Sequence, residues 1–106
     1  MLYELRQYRS KDGRRDDLVK VMEEDVIPFQ ASKGMVIVAS FVAAEEPDLY
    51  VWVRRFEDED DRVRLYKAVY EDDHWKNVIA PRIGPTLDRE RMVITRLVPT
   101  VKSVLR

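Results

Sequence analysis

The stretch Leu49-Tyr50-Val51-Trp52-Val53-Arg54-Arg55-Phe56-Glu57 decides the fold, because it predicts a β-strand with large side chains on both faces. Successive side chains of a strand point to opposite faces, so one face carries Leu49, Val51, Val53 and Arg55. The other face carries Tyr50, Trp52, Arg54 and Phe56. The aliphatic face suits a core packed against helices, and the aromatic face suits a wider space.

Three elements precede this strand. A second strand at Met35–Ala43 is joined to it by the turn Glu45-Glu46-Pro47-Asp48. An amphipathic helix is predicted before the second strand, because the apolar residues Leu18, Met22, Val26 and Phe29 recur at helical spacing. We expect this helix to be kinked at Pro28 and to end near Gly34. The chain begins with a strand over Leu2–Arg9.

Three further elements follow. Asp58 is the expected N-cap of a second helix, whose inner stripe is Val63, Tyr66 and Tyr70. A short third helix holds Trp75, Val78 and Ile79. The last strand covers Met92–Val98 and ends at Pro99.

The order βαββαβ within 106 residues predicts a single α+β domain over residues 1–106. We expect a ferredoxin-like protomer, a four-stranded antiparallel sheet with strand order 4-1-3-2 and both helices on one face. The second strand then lies at an edge with apolar residues on both faces, which is an aggregation hazard unless a partner covers it. We therefore predict a homodimer whose two sheets form a barrel. Alternatively, Val36, Val38 and Val42 project into a loop or into the C-terminal tail, whose apolar residues are Val101, Val104 and Leu105.

Composition excludes several classes. With 19 basic and 20 acidic residues, the chain has no surplus of cations for nucleic acid. It has no cysteine, and the single His74 is a poor metal site, so we expect no metal and no cofactor. The sequence shows no signal peptide and no apolar run of the roughly 20 residues that a membrane span needs, so we expect a cytoplasmic protein without a membrane span.

Alternation along the first strand places Glu4, Arg6 and Tyr8 on one face. If they share the barrel-facing side with Trp52 and Arg54, these five residues are a candidate ligand-binding site, with aromatic walls and with Arg6 or Arg54 holding a carboxylate. Its ligand would be a flat or amphipathic organic molecule. The competing interpretation is that Glu4 and Arg6 pair with each other or across the dimer, and that the aromatic rings fill the interface.

Three stretches resemble the NIPSNAP family, within the dimeric α/β-barrel superfamily, and together they cover nearly the whole chain. They are Tyr3-Glu4-Leu5-Arg6-Gln7-Tyr8 followed by Gly13, then Val51-Trp52-Val53-Arg54-Arg55-Phe56, and finally Trp75-Lys76-Asn77-Val78-Ile79-Ala80-Pro81 leading to Pro99-Thr100. The resemblance implies a ferredoxin-like protomer and a barrel of two sheets, and it implies no catalytic residue set. Relatives in the superfamily include cofactor-independent monooxygenases and haem-degrading enzymes, but a shared fold does not transfer a function.

Three functions stay open at this point. The first is a small homodimer that binds a small organic molecule in the barrel cavity. The second is a cofactor-independent monooxygenase or isomerase with unknown catalytic residues. The third is a protein-interaction module without a ligand.

Overall fold

The sheet has the predicted topology. A computed structural model describes residues 1–106 and contains one antiparallel sheet in the order β2-β3-β1-β4. Its strands are β1 (Leu2–Ser10), β2 (Val36–Val42), β3 (Leu49–Phe56) and β4 (Leu87–Leu97). The ferredoxin-like strand order and the edge position of β2 are therefore confirmed. β4 begins at Leu87, well before the predicted Met92.

The first helical region is continuous but changes its winding before Pro28. It runs as α1 (Arg15–Val21), a π-helical turn (Met22–Val26) and α2 (Ile27–Ser32). Pro28 has no N–H to donate to the preceding turn, and the wider turn accommodates the missing hydrogen bond. A π-helical turn therefore lies just before the proline at which the sequence predicts a kink. Gly34 follows with a φ of 103°, a left-handed conformation that glycine adopts without strain.

The second helical region begins at the predicted cap. α3 (Glu59–Tyr70) is preceded by Asp58, whose carboxylate accepts a hydrogen bond from the Asp61 N–H at 2.8 Å. The carboxylate of Asp61 in turn accepts from the Glu57 N–H at 3.0 Å. A π-helical turn (Trp75–Ile79), α4 (Ala80–Ile83) and a 3₁₀ turn (Gly84–Thr86) then lead into β4.

The buried residues of α3 differ partly from the predicted stripe. Leu65 and Val69 are buried, Tyr66 and Tyr70 are half-buried, and Val63 is exposed. The assignment of Val63 to the inner stripe is wrong because the helix is rotated to bring the two tyrosines over the sheet.

The helices cover one face of the sheet, which we call the inner face. Every second side chain of β1 and β3 points to this face. These side chains are Glu4, Arg6, Tyr8, Tyr50, Trp52, Arg54 and Phe56. The main core forms where Leu18, Met22 and Val26 of the first helical region meet Tyr8 and Trp52.

The opposite face, which we call the outer face, is largely uncovered. It carries Leu5, Val36, Phe41, Val51, Val53, Val93 and Leu97, as the strand register shows. Phe41 is 63% exposed and Val93 is 49% exposed. No helix of this chain is long and apolar enough to cross a membrane.

The C-terminal tail protects only one corner of the outer face. A hollow between the tail and the sheet is lined by Tyr3, Val53, Leu97 and Leu105, and Tyr3 is buried there. Val36 and Phe41 remain exposed at the far edge. The tail therefore does not account for the apolar residues of β2.

Candidate ligand-binding site

A cavity of about 190 Å³ lies between the inner face of the sheet and the helices, and we call it the central cavity. Most of its wall is apolar or aromatic, and its polar wall comes from arginine, glutamine and tyrosine. The residues that line it are Arg6, Tyr8, Val26, Gln30, Trp52, Tyr66, Tyr70, Trp75, Ile83, Leu87, Arg89, Met92 and Ile94. A larger surface hollow beside Gly13 and Pro47 has no hydrophobic lining and does not suit an organic ligand.

A buried polar network stands behind this cavity, centred on Arg54. Its guanidinium donates to Glu4 Oε1 from Nη2 at 2.7 Å and from Nε at 3.2 Å. It also donates from Nη1 to Gln30 Oε1 and to the Tyr70 hydroxyl, both at 2.9 Å, and from Nη2 to the Tyr66 hydroxyl at 2.9 Å. Arg54 is fully buried, and every N–H direction of its guanidinium is used within the protein.

Arg6 is the arginine of this network that reaches the central cavity. Its Nε donates to the Tyr8 hydroxyl at 2.9 Å, and its Nη1 donates to the Tyr66 hydroxyl at 3.3 Å. Its contact with Glu4 Oε1 is longer, at 3.4 Å. One carboxylate thus serves two guanidinium groups, and the network of Glu4, Arg6 and Arg54 carries a net positive charge.

The network keeps Glu4 ionised and Tyr66 neutral. Burial alone would raise the pKa of the Glu4 carboxyl, but the charge of Arg54 and the hydrogen bond from Tyr66 hold this pKa below its ordinary value. Burial raises the pKa of the Tyr66 phenol. Tyr66 therefore remains a hydrogen-bond donor, and it donates to Glu4 Oε2.

Two buried donors beside the cavity have no partner. They are the amide nitrogen Nε2 of Gln30 and the indole nitrogen Nε1 of Trp52. Both residues line the cavity and are almost fully buried. Most buried polar groups in proteins are hydrogen-bonded, so two unpaired donors at one cavity are unusual.

The five residues predicted from sequence do share one face, but the predicted orientation of that face is wrong. Glu4, Arg6, Tyr8, Trp52 and Arg54 lie under the helices of their own chain and do not face a barrel between two sheets. Three of them, Arg6, Tyr8 and Trp52, line the central cavity. Glu4 and Arg54 lie behind it. The alternative interpretation pairs Glu4 with Arg6. These two residues do lie in contact, at 3.4 Å, but Arg54 is the closer partner of Glu4, at 2.7 Å.

Sequence reasoning missed the residues that the helices contribute. Gln30 continues the four-residue spacing of Leu18, Met22 and Val26, so a polar side chain on an apolar stripe was the available signal. The sequence predicts that Tyr66 and Tyr70 lie on the inner stripe of α3, but no local pattern indicates their hydrogen bonds to Arg54.

His74 lies outside this site. It is exposed, and its ring lies 5.5 Å from the ring of Phe29. No cluster of three or more histidine and acidic side chains is arranged to hold a metal ion.

The family model of NIPSNAP matches residues 3–102, which is nearly the whole chain. The chain belongs to the NIPSNAP family. The predicted resemblance is thereby confirmed. A comparison with curated proteins finds no match.

Solved NIPSNAP structures share the fold over the full length. Protein Atu4242 from Agrobacterium tumefaciens is 27% identical, with a TM-score of 0.90 and with all of both chains covered. A second structure of Atu4242 describes it as a NIPSNAP family protein with unknown function. The NIPSNAP family protein Atu5224 from the same organism is also 27% identical, with a TM-score of 0.87, covering 99% of this chain and 98% of that chain.

More distant structures share the fold alone. A putative antibiotic biosynthesis monooxygenase from Caulobacter crescentus CB15 is 15% identical, with a TM-score of 0.71, covering 93% of this chain and 89% of that chain. At this identity the likeness says nothing about the reaction.

Proposed function

We propose that this NIPSNAP protein is a homodimer that binds a small organic molecule in the central cavity of each protomer. The observation that supports binding is the cavity itself, because it combines apolar walls with a few convergent polar groups. Ligand sites in proteins have this composition. The site differs from the predicted one in its position, under the helices, and it keeps Arg6, Tyr8 and Trp52.

The network behind the cavity supports a binding role for Arg6. Arg54 is held by Glu4, Gln30 and two tyrosines, so it fixes the positions of these groups and is closed to a ligand. Arg6 is held mainly by neutral hydroxyl groups and lines the cavity. A positioned cation beside an apolar wall is suited to an amphipathic ligand.

The outer face supports the dimer. Phe41, Val36 and Val93 are all at least 46% exposed and lie on the same face of the sheet. Soluble monomers rarely expose a continuous apolar face of this kind. A second copy presents the same surface, so a twofold contact between two sheets covers both copies at once.

The binding proposal is tested by narrowing the mouth of the cavity. Ile94 lines the cavity and is 47% exposed, so Ile94→Trp adds bulk at the mouth without overfilling the core. A fragment collection of small aromatic acids and neutral aromatics is screened by calorimetry against the wild type and this variant. We expect at least one fragment to bind the wild type with 1:1 stoichiometry per chain and to lose its affinity in Ile94→Trp.

The matched control is Arg96→Trp, which lies on the same strand outside the cavity. It should bind the fragment as the wild type does. Equal affinity in all three proteins would show that fragments bind elsewhere, and the proposal would then be wrong.

The dimer is tested with Phe41→Asp. A carboxylate that is buried without a partner in an apolar contact is strongly unfavourable, so this variant should be monomeric at micromolar concentration, where the wild type is expected to be dimeric. The measurement is light scattering coupled to size exclusion. Glu45→Ala, an exposed change in the loop after β2, is the control and should stay dimeric. A monomeric wild type would refute the dimer.

A second candidate is a cofactor-independent isomerase or monooxygenase, favoured by one contact. Tyr66 lines the cavity and donates to the ionised Glu4. In such a reaction the phenol oxygen would take the proton of the ligand, in place of the long 3.3 Å contact from Arg6, while the phenol proton passes to the Glu4 carboxylate. If a bound carbonyl compound is activated by proton abstraction, its α-hydrogen should exchange with solvent deuterium, and Tyr66→Phe should stop the exchange. A ligand that binds but never exchanges would leave binding as the function.

A further inference from the structure

We infer that the ligand of the central cavity is a monoanion about the size of one substituted aromatic ring, whose oxygens accept hydrogen bonds from Arg6, Gln30 and Trp52. This inference rests on the proposed binding function and specifies the class of ligand.

The first argument for an anionic ligand is that two buried hydrogen-bond donors have no partner in the protein. Gln30 Oε1 accepts from Arg54 Nη1 at 2.9 Å, and a guanidinium can only donate, so the orientation of the amide is fixed. Its Nε2 is consequently turned away from Arg54 and has no acceptor in the protein. The indole of Trp52 is a donor only and also has no acceptor. Both donors call for an oxygen acceptor that the chain does not supply.

The second argument is the positive charge of the residues that line the cavity. The charged residues that line the cavity are Arg6 and Arg89, and no acidic residue lines it. The carboxylate of Glu4, behind the wall, is occupied by Arg54 and Tyr66. The Tyr8 hydroxyl accepts from Arg6, which is its only protein partner, so its own proton is also free to be donated. A wall of donors and cations selects an anionic acceptor over a cation or an amine.

The third argument is the volume of the cavity, which limits the size of the ligand. A cavity of about 150 Å³ is known to hold benzene, so 190 Å³ leaves room for one ring and a small polar substituent. An inorganic anion would leave apolar walls such as Val26 and Ile83 without contact. A long-chain fatty acid would exceed the volume. The geometry thus favours a compact aromatic carboxylate or an equally small enolate.

The experiment uses three probes of the same ring, namely benzoate, its neutral isostere benzamide, and toluene. Their dissociation constants are measured by calorimetry on the full-length wild type and on two variants. Gln30→Glu keeps the oxygen that accepts from Arg54 but replaces the free donor by an acceptor. Trp52→Phe keeps an aromatic ring but removes the N–H. Asn77→Asp is the matched control for Gln30→Glu, because it makes the same change from amide to carboxylate at an exposed residue outside the cavity.

We expect the wild type to bind benzoate about tenfold more tightly than benzamide, and each test variant to lose about tenfold in benzoate affinity while its toluene affinity changes little. Asn77→Asp should keep both the benzoate affinity and the preference for benzoate over benzamide. Circular dichroism of each variant establishes that it is folded.

Two outcomes would overturn the inference. If benzamide or toluene binds as well as benzoate, or if both test variants keep the benzoate affinity, the cavity binds small molecules but does not select an anion. If none of the three probes binds, the inference is wrong, and the fragment screen with Ile94→Trp decides the proposed function separately.

Discussion

Replacing Glu4 by glutamine should destabilise the protein strongly at neutral pH. The carboxylate accepts two hydrogen bonds from Arg54 and a longer one from Arg6, and it is nearly inaccessible to solvent. In Glu4→Gln the shape is kept, but two buried guanidinium groups share a site without a negative charge. Removing one partner of a buried ion pair costs about 3–5 kcal/mol of unfolding free energy.

The lowered pKa of Glu4 determines how the stability difference between wild type and Glu4→Gln should change with pH. The pKa of Glu4 is lower in the folded protein than its ordinary value of 4.5, so its contribution to stability is complete above pH 4.5. That contribution is lost as the pH falls through the folded-state pKa. The gap between wild type and Glu4→Gln should therefore be constant from pH 7 to about pH 5 and shrink at lower pH.

Urea unfolding followed by circular dichroism from pH 7 to pH 3 measures this gap. The matched control is Glu46→Gln, which makes the same substitution in an exposed pair with Arg9 and should change the stability far less than Glu4→Gln does. A gap below about 1 kcal/mol at pH 7, or a gap that does not shrink in acid, would refute the assignment of Glu4 as the counter-charge of the network.

Two further predictions concern the backbone. Gly34→Ala should destabilise the protein by about 1–2 kcal/mol, because φ is 103°, a conformation that alanine adopts only with strain; an unchanged melting temperature in thermal unfolding would contradict this. Asp58→Ala should cost about 1 kcal/mol by removing the cap that accepts from the Asp61 N–H, and an unchanged urea midpoint would contradict that role.

The order of elements could be predicted because local signals agree with the fold. Gly34, Asp58 and the alternating strands each indicate a boundary or a face, and the structure confirms them. The start of β4 could not be predicted in the same way. The four residues after Leu87, Asp88-Arg89-Glu90-Arg91, are charged as in a loop, but they lie on an edge strand, where charges are common. Arg91 is held there by Asp48 and Asp88.

The membership of the site was partly predictable, whereas its orientation was not. Alternation places Arg6 and Trp52 on a common face whichever way the sheet is turned. Which of the two faces packs against the helices depends on whether the helices can supply hydrogen-bond partners for the buried arginines. Here Gln30, Tyr66 and Tyr70 supply the partners, so the aromatic and charged face is the buried one. These contacts join residues that are far apart in sequence, and no local pattern reports them.

The most direct measurement is a two-dimensional NMR titration that follows the indole N–H signals. The chain has two tryptophans, Trp52 and Trp75, and both line the central cavity. Assignment by Trp75→Phe leaves a single signal for Trp52. If a small organic molecule binds in the cavity, both indole signals should shift saturably on addition of a fragment that binds with 1:1 stoichiometry, with the larger shift for Trp52 when the fragment is an anion. Saturable binding that leaves both indole signals unmoved would contradict the proposed site.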